Sequence, residues 1–451
     1  MEGVHMSQNK ISKRGYSTLQ LILASFAFGS IMVFWTIYNS YVPLILDEKL
    51  GDLGSITLSA ATISTLIGFI MAIDNFFGLI FQPLFGKKSD YMRSRYGKRM
   101  PYVIVGIVLC SILFVLIPVM GRISGVTGIL AMMVVIIAFN FIMSTWRAPC
   151  VAIMPDIVPA EYQSEGNAVV NMVSAVFTIV ASASAGILGV FGFREAIDGG
   201  NYLAVFIFGS IVAVFCLVIL LTCVKWVDNR KGAKEEKVHQ EKEKRETLRN
   251  LNLPADAKRS MFIMMVALFC ISGTSDGVGT YFTLYATKLL SLDATTATMI
   301  KTVGTLGGVL LAVPAGIAGR KLGRRKTILT GLSIVIVMHV FMFAMPGFAG
   351  DYITVLLAAC YFIYAGAFIM ININTLPIML SIGGKERFGA FTGYYYFATF
   401  TAAVVCPVIM GFVVGMTNYN MIHMIALVMM VVAIFCVFHV HHGEKMIEEE
   451  Q

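Results

Sequence analysis

The amino-acid sequence predicts an all-α polytopic membrane protein, with twelve transmembrane helices in two pseudo-symmetric six-helix bundles. Three observations carry this reading. Hydrophobic residues make up 57% of the 451-residue chain and charged residues 13%, well below the charged share of a soluble domain. Apolar runs of about 20 residues or more recur along the whole length. Each can cross the hydrocarbon core as a helix and is longer than a barrel strand needs. A basic loop occurs twice, as GKKSDYMRSRYGKRMP from Gly86 to Pro101 and as GIAGRKLGRRKT from Gly316 to Thr327, the opening glycines lying 230 positions apart. Each copy separates two apolar runs, as expected at matching points of two related halves.

In chain order, spans are expected at 19–46, 57–85, 100–120, 126–152, 166–190, 201–224, 261–289, 296–317, 327–346, 352–378, 388–412 and 421–440. The first follows a polar, basic start, MEGVHMSQNKISKRGYS, which lacks the apolar core and cleavage site of a signal peptide. The second and third flank the first basic loop. The fourth carries Pro149, with Pro155 just beyond, which predicts a local break. The fifth, NAVVNMVSAVFTIVASASAGIL, matches the eleventh, GAFTGYYYFATFTAAVVCPVIMG, in position and small-residue texture. The seventh has Gly273, Ser275, Gly277 and Gly279 around Asp276, a texture that suits a helix bending or opening around a solute. The eighth carries Gly304, Gly307 and Gly308, which let helices approach closely. Internal repeats of this kind are typical of secondary transporters that rock two bundles about a central site.

The bundles are expected at 1–224 and 261–451, joined by a charged linker over 225–260 that is at least partly helical from its Glu/Lys spacing. Basic residues crowd the joints after spans 2 and 8, and the alternate joints have few. The positive-inside rule therefore puts both termini on the cytoplasmic side of a multi-pass cell-membrane protein. Eight cysteines are scattered with no CxxC pair, the pattern of small buried hydrophobes. No HExxH, GxSxG, P-loop or dinucleotide signature is present, so an enzyme is not expected, nor a cofactor or metal. The basic runs lack aromatic interleaving on a soluble domain, which argues against a nucleic-acid partner. Membrane lipid and a small solute are the expected partners, with the protein acting as a monomer.

The residues of the basic loops, Gly86, Asp90, Gly97, Lys98 and Arg99 in the first copy, resemble the Gly-x-x-x-Asp…Gly-Arg-Arg signature of the major facilitator superfamily, and the resemblance extends over nearly the full length. Gln82, Pro83, Ser89, Ser94, Arg95 and Pro101 around them, with YNSYVPLIL in span 1 and WRAPCVAIMPDIVP in span 4, are similar to sucrose transporters and their bacterial relatives among the glycoside–pentoside–hexuronide:cation symporters. The resemblance implies the major facilitator fold and the entry of a sugar, a disaccharide or glycoside, coupled to H⁺ or Na⁺. Several positions depart from the pattern. Asn140 stands where plant-type sucrose carriers have an acid. Gly78 and Gln82 stand near the paired span-2 acids of melibiose carriers, and Arg147 stands where those carriers have a span-4 Asp. Arg320 replaces the Asp of the second loop.

Buried acids are costly in a bilayer and are functional candidates. Two lie deep in the expected spans, Asp74 in AIDNFFG and Asp276 in CISGTSDGVGTYF. Desolvation favours the neutral carboxyl, as a proton-coupling site requires. Asp74, Asp276 and Arg147 are the coupling candidates, with H⁺ preferred over Na⁺. A sugar site combines an aromatic face with amides and charges. Trp35, Tyr38 and Asn39 of span 1 and Tyr281 and Tyr285 of span 7 fall on neighbouring turns, and Arg147, Asp276, Tyr361 and Asn372 complete the solute-binding candidates. Each also has a plain structural reading: Trp and Tyr collect at membrane interfaces, polar groups join helices, and arginine snorkels. His339 is read as structural. Asp90, Arg95, Arg99, Asp156 and Arg324 are the candidate gate at the cytoplasmic rim, with Glu161 a further partner for the basic loop. Two rival readings remain: an exporter or facilitator of another amphipathic solute, and a receptor or scaffold that transports nothing.

Overall fold

The computed structural model describes residues 17–54, 56–159, 162–226, 255–383 and 388–440. The expected linker, apart from its ends, lies outside these residues, as do both termini and Glu161. Among the described residues, twelve helices are long and apolar enough to cross a membrane. They are α1 (Phe26–Gly51, preceded by the short helix Thr18–Ala24), α2 (Ala60–Asp90), α3 (Met100–Met120), α4 (Gly125–Val151), α5 (Gln163–Ser182), α6 (Leu203–Thr222), α7 (Ala255–Leu284), α8 (Ala294–Lys321), α9 (Arg324–Ala344), α10 (Ile353–Gly383), α11 (Phe388–Met416) and α12 (Met421–Phe438). Lipid cannot satisfy an open backbone, so each apolar run closes its hydrogen bonds within itself.

Local chemistry sets the breaks. Ser25, whose hydroxyl donates to Leu21 O at 2.7 Å, marks the joint before α1. The break expected near Pro149 and Pro155 falls at Ala152, after which Ile153–Ile157 forms one more turn. The fifth span is interrupted at Ala183 and resumes as Ser184–Val190. α7 differs from expectation: it runs unbroken past Asp276 and widens only at its end, into a π turn at Tyr285–Leu289. Both basic segments begin inside a helix. Gly86 and Asp90 lie one turn apart at the end of α2, and Gly316–Lys321 closes α8. The turns that follow place Gly97 and Gly323 at φ +81° and +93°, a backbone region open to glycine, immediately before Lys98-Arg99 and Arg324-Arg325.

The chain divides into two compact units, one running up to Thr57 and again from Ile73 to Glu236, the other comprising Leu58–Ala72 and the chain from Lys237 onward. Within them the packing repeats. In the first unit α1 packs on α5 and α6, and α3 on α4 and α6. In the second, α7 packs on α11 and α12, and α9 on α10 and α12. In the first unit, Gly29 receives the Phe177 ring and Gly106 the Trp146 indole, and Phe34, Phe114, Phe139 and Phe206 form a buried aromatic cluster.

In the second unit, the first half of α2 lies backbone to backbone on α11. Gly68 faces Pro407 O, and Gly411 faces Ser64 O. The Tyr281 hydroxyl bridges this contact, donating to Ser64 O at 2.6 Å with Pro407 O at 3.1 Å. A methyl group at Gly411 would overlap backbone that cannot retreat, whereas Gly316 in α8 faces open space. Gly411→Ala is therefore expected to destabilise the detergent-purified protein by about 1–3 kcal/mol. Gly316→Ala should be neutral or stabilising by up to about 1 kcal/mol. Thermal unfolding followed by size-exclusion fluorescence checks both, and equal effects would contradict the contact.

Candidate functional site

Residues 140, 143 and 147 share one face of α4, at the i, i+3, i+7 spacing of a helix. Trp146 is fully buried, with its indole N–H 3.4 Å from Cys110 Sγ of α3. Anchoring Trp146 on α3 turns the next residue, Arg147, toward α1 and α2. There the Arg147 guanidinium lies over the Trp35 ring, 4.2 Å from its centroid, and 4.0 Å from Asp74 Oδ2. Tyr38, one turn after Trp35, stacks on Phe139 at 5.6 Å and 17°, and its hydroxyl accepts from Asn140 Nδ2 at 3.0 Å. Trp35, Tyr38, Asp74, Phe139, Asn140, Met143 and Arg147 line one cavity of about 10 Å³, room for the centre of a single water.

The ion pair is open. At 4.0 Å it is beyond hydrogen-bonding range. Among the described residues neither the guanidinium nor the Asp74 carboxylate makes a hydrogen bond to any protein group. Five donors in a fixed fork and two carboxylate oxygens are therefore without a protein hydrogen bond among the described residues. Asn39 is half-buried and does not line the cavity.

The remaining solute candidates lie in the second unit. Asp276 is half-buried in α7. Tyr281 and Tyr285 are fully buried and their hydroxyls are committed to backbone carbonyls, Tyr281 as above and Tyr285 to Met342 O at 2.8 Å. Tyr361 packs over Gly304, its ring 4.3 Å from that of Phe282. Asn372 is exposed, while Asn374 is buried and donates to Met370 O. His339 is buried with its Nδ1 3.2 Å from Nδ1 of His423, joining α9 to α12. Among the described residues no three histidine, cysteine or acidic side chains gather as a metal would need.

At the basic end of the first unit Arg99 is a hub. It pairs with Asp90 at 2.5 Å and with Asp156 at 2.9 Å, and it donates to Gly86 O at 3.2 Å and to Ser89 Oγ. Lys98 reaches Asp156 at 3.1 Å. This network ties the end of α2, the start of α3 and the turn after α4. Arg95 is exposed and stacks on Tyr96. In the second copy the residue at the Arg99 position is Arg325. With no ion pair among the described residues, it donates to Val437 O at 3.1 Å and to Phe438 O, holding the end of α12. Arg324 is its half-buried neighbour.

The sequence alone did not single out Met143, Phe139, Arg325, His423 or the half-buried Lys301 of α8 as site residues. The α4 residues were findable from their shared helical face, and Arg325 from the alignment of the two glycines. His423 carried no signal, because its partner comes from α9.

A family model described as Major Facilitator Superfamily matches residues 24–380 and 264–450. None of the curated proteins matches the chain. Among solved structures the fold is similar to a mutant of the nucleoside transporter NupG, with a TM-score of 0.68 at 15% identity over 94% of this chain and 99% of that one. It is also similar to the peptide transporter POT in complex with sulfate, at 0.64 and 12% over 94% of each chain. A bacterial homologue of the human lysosomal transporter Spinster, inward-facing and occupied, aligns at 0.60 and 12% over 95% of each. At these identities the likeness is one of fold.

The hub predicts a contrast between two arginines. Arg99→Gln leaves Asp90 and Asp156 without their shared partner and is expected to lower stability by about 1.5–3 kcal/mol, as for hydrogen bonds to charged groups. Arg95→Gln should stay within about 0.5 kcal/mol. Detergent thermal melts of the two variants check this, and equal losses would rule the hub out.

Proposed function

The chain belongs to the major facilitator superfamily, and we propose that it works as a secondary transporter coupling the entry of a sugar, a disaccharide or glycoside, to H⁺ by alternating access. In this reading the basic joints and both termini face the cytoplasm, and the protein acts as a monomer in the cell membrane. The observation that carries it is the open Asp74–Arg147 pair beside Trp35, Tyr38 and Asn140. A membrane span keeps a carboxylate and a guanidinium with unused hydrogen-bonding capacity only at some cost. Together the residues offer what a hydroxyl-rich ring needs: a fork of donors, a carboxylate acceptor, an amide and a phenol.

The cavity admits about one water. A solute therefore enters as Arg147 swings off Trp35, baring an indole face for the apolar side of a sugar ring. Asp74 is the proton carrier, since it is the acid in contact with that event. Asp276 is the corresponding candidate of the second unit, with Tyr361 and Asn372 of α10 as further candidate polar contacts. Tyr281 and Tyr285 serve helix packing in this reading. The Asp90–Arg99–Asp156 network, with Lys98 and Arg95, is the gate on the cytoplasmic rim, and Arg324 is its second-copy counterpart.

The test is purified protein in liposomes, offered a panel of sugars and glycosides with H⁺ and Na⁺ gradients imposed separately. Accumulation driven by H⁺ supports the proposal. Absence of any carbohydrate exchange at millimolar concentration defeats it in favour of another amphipathic solute, and absence of all transport points to the receptor or scaffold. Asp74→Asn should reduce H⁺-driven accumulation about tenfold or more, equivalent to about 1.4 kcal/mol, while counterflow of labelled sugar persists. If Asp276→Asn gives that phenotype and Asp74→Asn does not, coupling belongs to α7. Asp90→Asn should slow transport about tenfold with sugar affinity unchanged, and a parallel loss of affinity would remove Asp90 from the gate.

A further inference from the structure

A second cavity, of about 260 Å³, lies within the first unit and shares no lining residue with the Asp74–Arg147 site. It forms where α1 and α3 end and α6 begins. Lys98 and Arg99 stand just before the start of α3, so the cavity is at the end of that helix away from the basic joint. In the orientation proposed above this is the outer face of the membrane. Ile45 and Pro118 line its floor, about one turn deeper in their helices than Glu48, Lys49 and Arg122.

The rim carries charge of both signs. Arg122 donates to Asn201 Oδ1 at 2.9 Å, an oxygen that also accepts from Leu203 N at 3.4 Å, which ties the guanidinium to the start of α6. Lys49 is half-buried, its ammonium 3.7 Å from Glu48 Oε1 and so beyond hydrogen-bonding distance. Glu48 lies against the turn before α6. A Cβ at Gly200, which has φ +89°, would stand 3.3 Å from Glu48 Oε2, so glycine both makes the turn and leaves room for the carboxylate. Two cations at this end run against the distribution that gathers Lys and Arg at cytoplasmic joints. A ligand accounts for them where topology does not.

The helices leading to the cavity indicate what that ligand is. Val105, Val108 and Ile112 of α3 and Ile207, Ile211 and Phe215 of α6 are exposed, at the spacing of one helix face. The two helices are joined by Ser210, whose hydroxyl donates to Ser111 O at 3.1 Å, next to Ile211 and Ile112. Apolar side chains exposed on a membrane span meet acyl chains. At about 1.5 Å per residue, the stretch from Val108 to Pro118 covers about 15 Å, half of the roughly 30 Å hydrocarbon core. That is the depth of one leaflet. A lipid lying along α3 and α6 therefore brings its headgroup to Lys49 and Arg122. A phosphate matches the guanidinium fork and the lysine ammonium. Phosphate alone would set a second negative charge beside Glu48. A headgroup that also carries a primary ammonium removes this conflict, because its N–H donors can meet the carboxylate as a lysine would. Choline has the positive charge but no N–H, and glycerol has hydroxyls but no charge.

We propose that this cavity is an outer-leaflet phospholipid site for phosphatidylethanolamine, with the phosphate on Lys49 and Arg122 and the ammonium on Glu48. The site is separate from the solute cavity and does not depend on whether the carried solute is a sugar.

Native mass spectrometry of the full-length protein in a mild detergent tests this. The protein is titrated with phosphatidylethanolamine, phosphatidylglycerol and phosphatidylcholine of identical acyl chains, and with soluble phosphoethanolamine and inorganic phosphate. The ethanolamine lipid is expected to bind about tenfold or more tighter than the other two, as one further hydrogen bond to a charged group provides. Arg122→Gln and Lys49→Gln should each weaken it about tenfold on the same ground, and Arg122→Lys should recover part of the loss. Glu48→Gln should erase the preference for ethanolamine over glycerol. Arg194→Gln removes a cation that pairs with Asp198 and does not line the cavity, and it should leave lipid binding unchanged. Equal affinity for the three lipids, or equal effects of Arg122→Gln and Arg194→Gln, overturns the site. Tighter binding of phosphatidylglycerol overturns the role of Glu48. Binding of phosphoethanolamine or inorganic phosphate as tight as that of the lipid overturns the lipid as occupant in favour of a soluble phosphate.

Discussion

Hydrocarbon offers no hydrogen-bond partner, so everything polar within a membrane span must be satisfied by the protein itself. The apolar runs of this chain meet that demand for the backbone by closing into helices. The side chains meet it in graded ways. Thr280, Thr298 and Thr302 return their hydroxyls to carbonyls of the preceding turn. Tyr281 and Tyr285 hand theirs to carbonyls of neighbouring helices. His339 and His423 satisfy one nitrogen each through one another.

Asp74 and Arg147 differ from these groups in kind. Both are ionisable side chains, 4.0 Å apart, and among the described residues neither makes a hydrogen bond to a protein group. The arrangement depends on three packing decisions. Trp146 is buried on Gly106 and Cys110, which aims Arg147. Phe139 is stacked on Tyr38, which fixes the α1–α4 register. Trp35 offers its ring to the guanidinium, so the cation gains from a π face what it lacks in hydrogen bonds. A structural ion pair would draw together to hydrogen-bonding distance. This one stands 4.0 Å apart.

The two basic segments show how a repeat diverges under the same constraint. Both place a glycine of positive φ shortly before a helix and an arginine two positions after that glycine. In the first copy the surrounding acids make Arg99 an electrostatic hub. In the second, Arg320 stands where the acid would be, and Arg325 instead neutralises the carbonyl end of α12, where a helix dipole favours a cation. A shared backbone has therefore been put to unlike uses by a change of partner.

The number of spans, their order and most of their limits were legible in the sequence, because apolar length and charge placement are local properties that survive without tertiary context. So was the candidacy of Asp74 and Arg147, since an ionised residue in an apolar run is conspicuous by itself. The break in α4 could be read from its prolines. The persistence of α7 through Asp276 could not, because glycine permits a bend without requiring one, and Met410 packed over Gly277 and Cys406 packed over Gly273 occupy the room a bend would use. Only the tertiary structure decided which candidates meet. Trp35, Tyr38, Asp74 and Arg147 share a cavity though they stand as much as 112 positions apart, and Tyr281 and Tyr285, with the same residue type and spacing signals, are spent on packing. The physical reason is that a helix dictates which residues share a face, whereas the rotation of that face toward a partner is settled by side-chain packing from other helices, and no single segment encodes it.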